Sequence, residues 1–192
     1  MTPANKTAVA PTRAPASTGR LFVAGAAAGH RAHLAAYGPA PSTANAVGLI
    51  RELESSGLTG RGGAGFQVWR KFAATDDARR RRRVLGSPVV IANGAEGEPK
   101  SFKDATLLRN SPHLVIDGLL VAAAAVSASQ VYLYAAPANL VAVSRAIAER
   151  RDAARIRLVE APDTFVAGEA SAAVNAIENG RASCRERVCH NV

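Results

Sequence analysis

Five glycines fall within the ten residues Gly57–Phe66, in the run Ser56-Gly57-Leu58-Thr59-Gly60-Arg61-Gly62-Gly63-Ala64-Gly65-Phe66. Glycine lets a backbone take φ > 0 and come close to a ligand, because no Cβ stands in the way. Successive N–H groups exposed in such a loop form a concavity suited to a phosphate or another polar edge. The spacing Gly60-x-Gly62-x-x-Gly65 also satisfies the dinucleotide fingerprint, which carries weight only after a strand and before a helix. Here residues 43–56 read as a helix instead. Val47, Ile50 and Leu53 share one face, and Gly57 sits where a helix C-cap would. The ordinary Rossmann context therefore fails, and the loop is either a ligand cradle of another kind or a structural turn.

Downstream of the loop the chain alternates strands and helices. Residues 67–74 suggest a short helix and 79–87 a linker. Residues 88–93 form a continuous apolar run, as a parallel strand buried on both faces requires. Ser111 and Pro112 suit the N-cap and first position of a helix over 112–127. A strand over 131–135, an amphipathic helix over 138–152, a strand over 155–159 and a helix over 169–179 closed by Gly180 follow. The order β-α-β-α-β predicts an α/β fold, with a Rossmann-like parallel sheet and flanking helices, preceded by a helical or loop N-terminal segment. Three regions are expected. Residues 1–42 are mostly disordered or extended, 43–180 form the α/β domain, and 181–192 are an atypical tail.

The formal charge is +9, which raises nucleic acid as a partner. Its distribution argues against that. Residues 1–83 carry net +9 and residues 84–180 carry net −2. Arg79–Arg83 form one run with no interleaved aromatics, so they read as a solvated stretch rather than a stacking platform. The best apolar run, 114–126, is interrupted by Asp117 and Gly118 and is too short to span a bilayer. No secretory leader is visible, so a cytoplasmic location is expected, either free or peripheral to a membrane complex, with no direct membrane insertion. Both cysteines lie in the last nine residues, which excludes a disulfide framework. His113 follows a helix-starting proline and reads as a surface or capping residue.

Three ordered blocks carry a family resemblance. They are the glycine loop, the segment Val89-Val90-Ile91-Ala92-Asn93-Gly94-Ala95-Glu96-Gly97-Glu98-Pro99 continuing into Lys100-Ser101-Phe102-Lys103-Asp104, and Phe165-Val166-Ala167-Gly168-Glu169-Ala170. Over residues 43–180 the chain resembles the NADH-oxidising, FMN-carrying subunit of respiratory complex I. Related flavin subunits occur in NAD-linked hydrogenases and formate dehydrogenases. That family's pattern is a GRGGAGFP loop, a Lys soon after it, a strand ending in NADEGEP or NADESEP followed by TFKD, and a YxCGEE turn.

The resemblance implies FMN as cofactor, NAD(H) as substrate and iron–sulfur electron-transfer subunits as partners. It implies that Gly60, Arg61, Gly62, Gly63, Ala64 and Gly65 form the loop that flavin and nicotinamide approach. Phe66 either stacks on the nucleotide or anchors the loop in the core. Lys71 offsets the negative charge of flavin or phosphate, and the amide of Asn93 bonds the flavin's polar parts. Glu96, Gly97 and Glu98 surround the nucleotide, or else form a solvated turn. Phe165, Gly168 and Glu169 complete the site at a helix start, where Glu169 either faces the ligand or caps the helix.

The departures are specific. Ala95 stands at the Asp of NADE, Phe165 at the Tyr of YxCGEE, Ala170 at its second Glu, and Gln67 at the Pro after Gly-Phe. They remove acceptors expected near the nucleotide ribose, so FMN is better supported than NADH. The tail from Ala182 to Val192 matches nothing in the family, and three ligands among Cys184, Cys189 and His190 make a weak metal signal. The expectation is an N-terminal part of a longer flavoprotein. The iron–sulfur cluster would lie in a missing C-terminal part, and a non-catalytic relay or assembly subunit is the alternative.

Overall fold

The computed structural model describes residues 19–41, 46–60, 65–81, 87–98 and 100–179 of the chain. Its helices are α1 (His30–Tyr37), α2 (Ala46–Ser55), α3 (Val68–Arg80), α4 (Lys103–Asn110), α5 (Pro112–Ala125), α6 (Pro137–Ala148) and α7 (Ala170–Asn179). The strands are β1 (Val89–Gly94), β2 (Gln130–Ala135) and β3 (Ile156–Glu160), and short 3-10 turns cover Arg151–Ala153 and Phe165–Gly168.

The strands pair in parallel in the order β1-β2-β3, with Val90 opposite Val131 and Val131 opposite Ile156. Alternate side chains enter two separate cores, because successive Cβ atoms point to opposite faces of a strand. Val90, Ala92, Val131, Leu133 and Ile156 pack with Ile116, Leu119 and Val143 of α5 and α6, backed by Phe72 of α3 and Leu53 of α2. Val89, Ile91, Tyr132 and Tyr134 pack on the opposite face with Ala173 and Ile177 of α7. Burial on both faces explains why β1 is continuously apolar. This is the parallel α/β architecture expected from the alternation of elements.

Several element limits differ from expectation, each for a local reason. Helix α3 runs on to Arg80 where a linker was expected, because Asp76 pairs with Arg80 and Asp77 with Arg81 one turn on, both at 2.6 Å. The arginine run thus begins inside a helix. Helix α6 ends at Ala148, and Arg150 then turns inward to Asp117 and Asp152. Helices α1 and α4 were not foreseen, since each buries a single side chain, His33 and Leu108, and shows no apolar stripe. Pro112 starts α5 as expected, but the Ser111 hydroxyl donates to the Leu21 carbonyl at 2.6 Å instead of capping. His113 is not a surface residue. It lies in the first turn of α5 and is 2% exposed. Among the described residues no helix is long and apolar enough to cross a membrane.

Tyr134 is fully buried on β2, and its hydroxyl has no hydrogen-bond partner among the described residues. Burial pushes the phenol above its usual range. A buried hydroxyl left unpaired costs about 1–3 kcal/mol. Tyr134→Phe should therefore leave stability unchanged or raise it by on the order of 1 kcal/mol, measured by urea unfolding. A clear loss would mean that the hydroxyl has a partner.

Candidate functional site

Parallel strands present their carboxyl ends along one edge, where α/β sheets bind ligands. The chain leaves β1 there and continues through Ala95–Glu98. The 3-10 turn before α7 closes over this segment. The Asn93 side-chain amide donates to the Gly168 carbonyl at 3.0 Å, while its oxygen accepts from the Ala95 N–H at 3.2 Å. A Cβ on Gly168 would sit 2.7 Å from the Gly97 nitrogen and 2.9 Å from the Ala95 oxygen, so glycine is required by close backbone approach.

These two segments and the start of α4 enclose an open cleft of about 320 Å³, lined by Ala95, Glu96, Gly97, Glu98, Ser101, Lys103, Gly168 and Glu169. Five sequence-identified residues, Glu96, Gly97, Glu98, Gly168 and Glu169, thus meet in one place. A second hollow of about 310 Å³ shares Ala95 and Glu96 and extends toward Ala136–Ala138 and Ala161–Thr164 at the ends of β2 and β3.

Glu96 has a structural task. Its carboxylate accepts from the Ser101 hydroxyl at 2.7 Å and from the backbone N–H groups of Asp104 and Ala105, both at 3.2 Å. It thereby caps α4 from outside the helix, satisfying N–H groups that have no partner within the helix. Partial burial pushes its pKa up. The Ser101 hydroxyl, the two amides and the nearby Lys103 ammonium outweigh that and hold it below the usual carboxylate range. Glu98 and Glu169 are exposed, and Glu169 accepts from the Ser171 hydroxyl at 3.4 Å. Lys103 pairs with Asp104 and lies 4.0 Å from Glu96.

The glycine loop is pinched at its base. Thr59 and Gln67 form an antiparallel bridge, the Gly60 N–H donates to the Phe66 carbonyl at 2.8 Å, and the Val68 N–H donates to the Leu58 carbonyl at 3.0 Å. Gly65 has φ +55°, which favours glycine. Phe66 is half exposed, and the Lys71 ammonium stands 5.6 Å from its ring centre. Arg61, Gly62, Gly63 and Ala64 lie outside the described residues, as does the side chain of Phe165. Among the described residues none of the loop lines the 320 Å³ cleft, and neither Asn93 nor Lys71 does. Sequence reasoning did not assign Ser101 and Lys103 to the site. No local pattern marks them, because Ser101 precedes the N-cap Phe102 and its hydroxyl donates to Glu96 rather than capping α4.

Replacing Glu96 by Ala should cost about 1 kcal/mol, the usual worth of an N-terminal cap. The pKa of Glu96 is depressed in the folded chain. Its contribution is therefore complete above the unfolded carboxylate value of about 4.3 and is lost as pH falls through the lower folded value. Urea unfolding of Glu96→Ala and the native chain should differ near neutral pH and converge in acid. A constant difference across pH would show that the carboxylate charge is not what caps α4.

Residues 53–189 match the family model of the Nuo51 FMN-binding domain. The chain is 30% identical over 154 residues to an NADH-quinone oxidoreductase protein of Rhizobium meliloti, covering 71% of this chain and 35% of that protein. It is 28% identical over 155 residues to the corresponding NADH-quinone oxidoreductase protein of Escherichia coli, covering 72% and 34% respectively. It spans about a third of the length of these relatives. Among solved structures, a chain of NAD+-reducing [NiFe]-hydrogenase in the air-oxidized state superposes with TM-score 0.61 at 29% identity, covering 80% of this chain and 28% of that one. With the acidic turn, the glycine loop and the parallel sheet all in the matched region, this chain belongs to the Nuo51 FMN-binding domain family.

Proposed function

We propose that this chain is the FMN-binding part of an NADH-oxidising flavin module, which takes hydride from a reduced nicotinamide and passes electrons to iron–sulfur partners. The observation that carries the reading is the cleft at the carboxyl end of β1, where Gly97 and Gly168 meet at backbone distance beneath Glu98, Glu169 and Lys103. The lining suits the hydroxyls of a polyol, because the exposed carboxylates of Glu98 and Glu169 accept from hydroxyls, while the Lys103 ammonium is paired with Asp104. Family membership over residues 53–189 supports the choice of FMN, and the names of the relatives support NADH.

FMN, when bound, supplies two-electron acceptance and one-electron release. The chain's own contribution is position and charge. The glycine loop would carry its backbone N–H groups to the cofactor, with Lys71 and Phe66 at its exit. Asn93 would hold the two walls of the cleft together, and Glu96 would fix the start of α4 and with it Lys103. Electron acceptors, the iron–sulfur cluster and partner subunits belong to the longer protein in this reading. The purified chain, reconstituted with FMN, should retain flavin absorbance near about 450 nm. Gly63→Val should abolish that retention with far-UV circular dichroism unchanged, because a branched side chain would stand where the ring approaches the loop. Undiminished retention would make the loop a structural turn.

The choice of nucleotide has its own test in the full-length protein. A carboxylate near the ribose 2′-hydroxyl favours NADH by accepting its hydrogen bond and repelling the 2′-phosphate of NADPH. Ala170, at the position of the family's second Glu, opens α7 and is exposed. Without that charge the preference for NADH should shrink by about 1–3 kcal/mol, and Ala170→Glu should restore it. The ratio of kcat/KM for the two nucleotides in each protein measures this. A native preference of several orders of magnitude would assign the choice to another residue. Failure of either nucleotide to reduce the flavin would favour a relay subunit with the same fold.

A further inference from the structure

Residues 20–37 cross the surface of α5 and the end of α6 with little apolar burial. Leu21, Val23 and Leu34 are exposed, and His33 is the one buried residue of α1. The segment is held by polar contacts. The Leu21 carbonyl accepts from Ser111, the Ala27 N–H donates to the Asn110 carbonyl at 2.9 Å, and the His30 N–H donates to the Glu149 carboxylate at 2.7 Å. The His33 ring nitrogen Nε2 meets Asp117 at 2.7 Å. Three imidazoles converge at this seam. His113 of α5 lies 5.2 Å from His30 and 5.5 Å from His33, and His30 and His33 are 6.4 Å apart.

We propose that residues 20–37 form an acid-released strap, docked on the core by this histidine–carboxylate cluster at neutral pH and let go when the buried His113 takes up a proton. The charges facing the cluster explain why protons are unwelcome. Asp117 and Asp152 are both matched by the buried Arg150, each at 2.6 Å. Glu149 accepts from the His30 N–H and His113 Nε2 and has Arg145 at 3.8 Å. Arg109 of α4 shares a hollow of about 260 Å³ with His113, Arg145 and Glu149 and adds a further positive charge. Three carboxylates thus face three arginines before any histidine is charged. A proton on His113, whose ring lies within 5.5 Å of both other imidazoles, meets no uncommitted carboxylate.

The His113 ring resists charging for a second reason. Its Nε2 lies 3.3 Å from Glu149, while its Nδ1 is buried without a partner among the described residues. The neutral tautomer with hydrogen on Nε2 suits both atoms. A second proton, on Nδ1, would bury a donor with nothing to accept it. Burial accordingly pushes His113 below the ordinary histidine range, against the pull of Glu149. The detached state takes this proton more readily than the docked one, so docking is complete above about pH 6.5 and weakens as pH falls below it.

Helix α1 has only 8 residues, too few to persist in water once detached, so release takes the form of local unfolding. Hydrogen exchange of the whole chain by mass spectrometry reads it, after correction for the intrinsic pH dependence of exchange. Between about pH 7.5 and pH 5.5, protection of peptides spanning 21–37 should fall several-fold, up to about tenfold, relative to peptides of β1 and β2. His113→Gln keeps a donor for Glu149 but cannot be charged, and should flatten this pH dependence. Should that variant fail to fold, a proton NMR titration of the native chain carries the test: His113 should take up its proton over the pH range in which these peptides lose protection, and a His113 that titrates outside that range would overturn the strap. Protection that is unchanged with pH, that falls equally in β1 and β2, or that stays as pH-dependent in the folded variant as in the native chain would overturn the strap.

Discussion

A single side-chain amide joins two segments 75 positions apart, the hydrogen bond from Asn93 to the Gly168 carbonyl. Everything at the carboxyl edge of the sheet depends on it. Because its oxygen also holds the Ala95 N–H, the acidic turn cannot swing away from β1. Because Gly168 has no side chain, the 3-10 turn can settle against the Gly97 nitrogen. The cleft walls are therefore backbone pressed on backbone, over a sheet buried on both faces. Close packing of this kind is rigid, and a rigid cradle places ligand groups with little loss of freedom on binding.

The cleft's electrostatics follow from which carboxylate is already committed. Glu96 points into α4 and its lone pairs are taken by a hydroxyl and two amides. Glu98 and Glu169 remain exposed, with Lys103 drawn toward Asp104. That end of the site is acidic, so it suits hydroxyls better than a phosphate. In the proposed function the cationic share falls to Lys71, beside Phe66 at the exit of the glycine loop. An acidic turn and a glycine-rich basic loop would divide one cofactor between its polyol and its charged parts, which a single uniform pocket could not do.

The parallel sheet was legible because burial on both faces writes a continuous apolar run into β1 and β2, while the edge strand β3 breaks its run at the exposed Arg157. The site's acidic and glycine residues were legible as motifs, and Glu96, Gly97, Glu98, Gly168 and Glu169 do share one cleft. What sequence could not give was the direction of each side chain. Glu96 and Glu98 are two residues apart and chemically identical. One caps a helix and the other faces solvent, a difference set by where α4 begins. Helix α4 itself was hidden because its support comes from a side chain seven residues before its start, whereas propensity and periodicity describe only local support. The long arm of α3 was hidden for a related reason. Arginines that look like a solvated run become helix-stabilising once Asp76 and Asp77 stand one turn earlier.

The histidines mark the same limit at longer range. His30 and His33 are 80 or more positions from His113, and none of the three carries a metal-ligand or catalytic spacing in sequence. Their meaning arises only when α1 lies across α5 and the chain end of α6 brings Glu149 and Arg150 beneath them. A segment anchored by apolar side chains writes a periodic stripe into its sequence. A segment anchored by ring nitrogens and backbone amides writes nothing periodic, because each contact is made by a different kind of atom. Such anchoring is also the kind most sensitive to pH. Apolar burial carries no titratable charge, whereas an imidazole buried against committed carboxylates does.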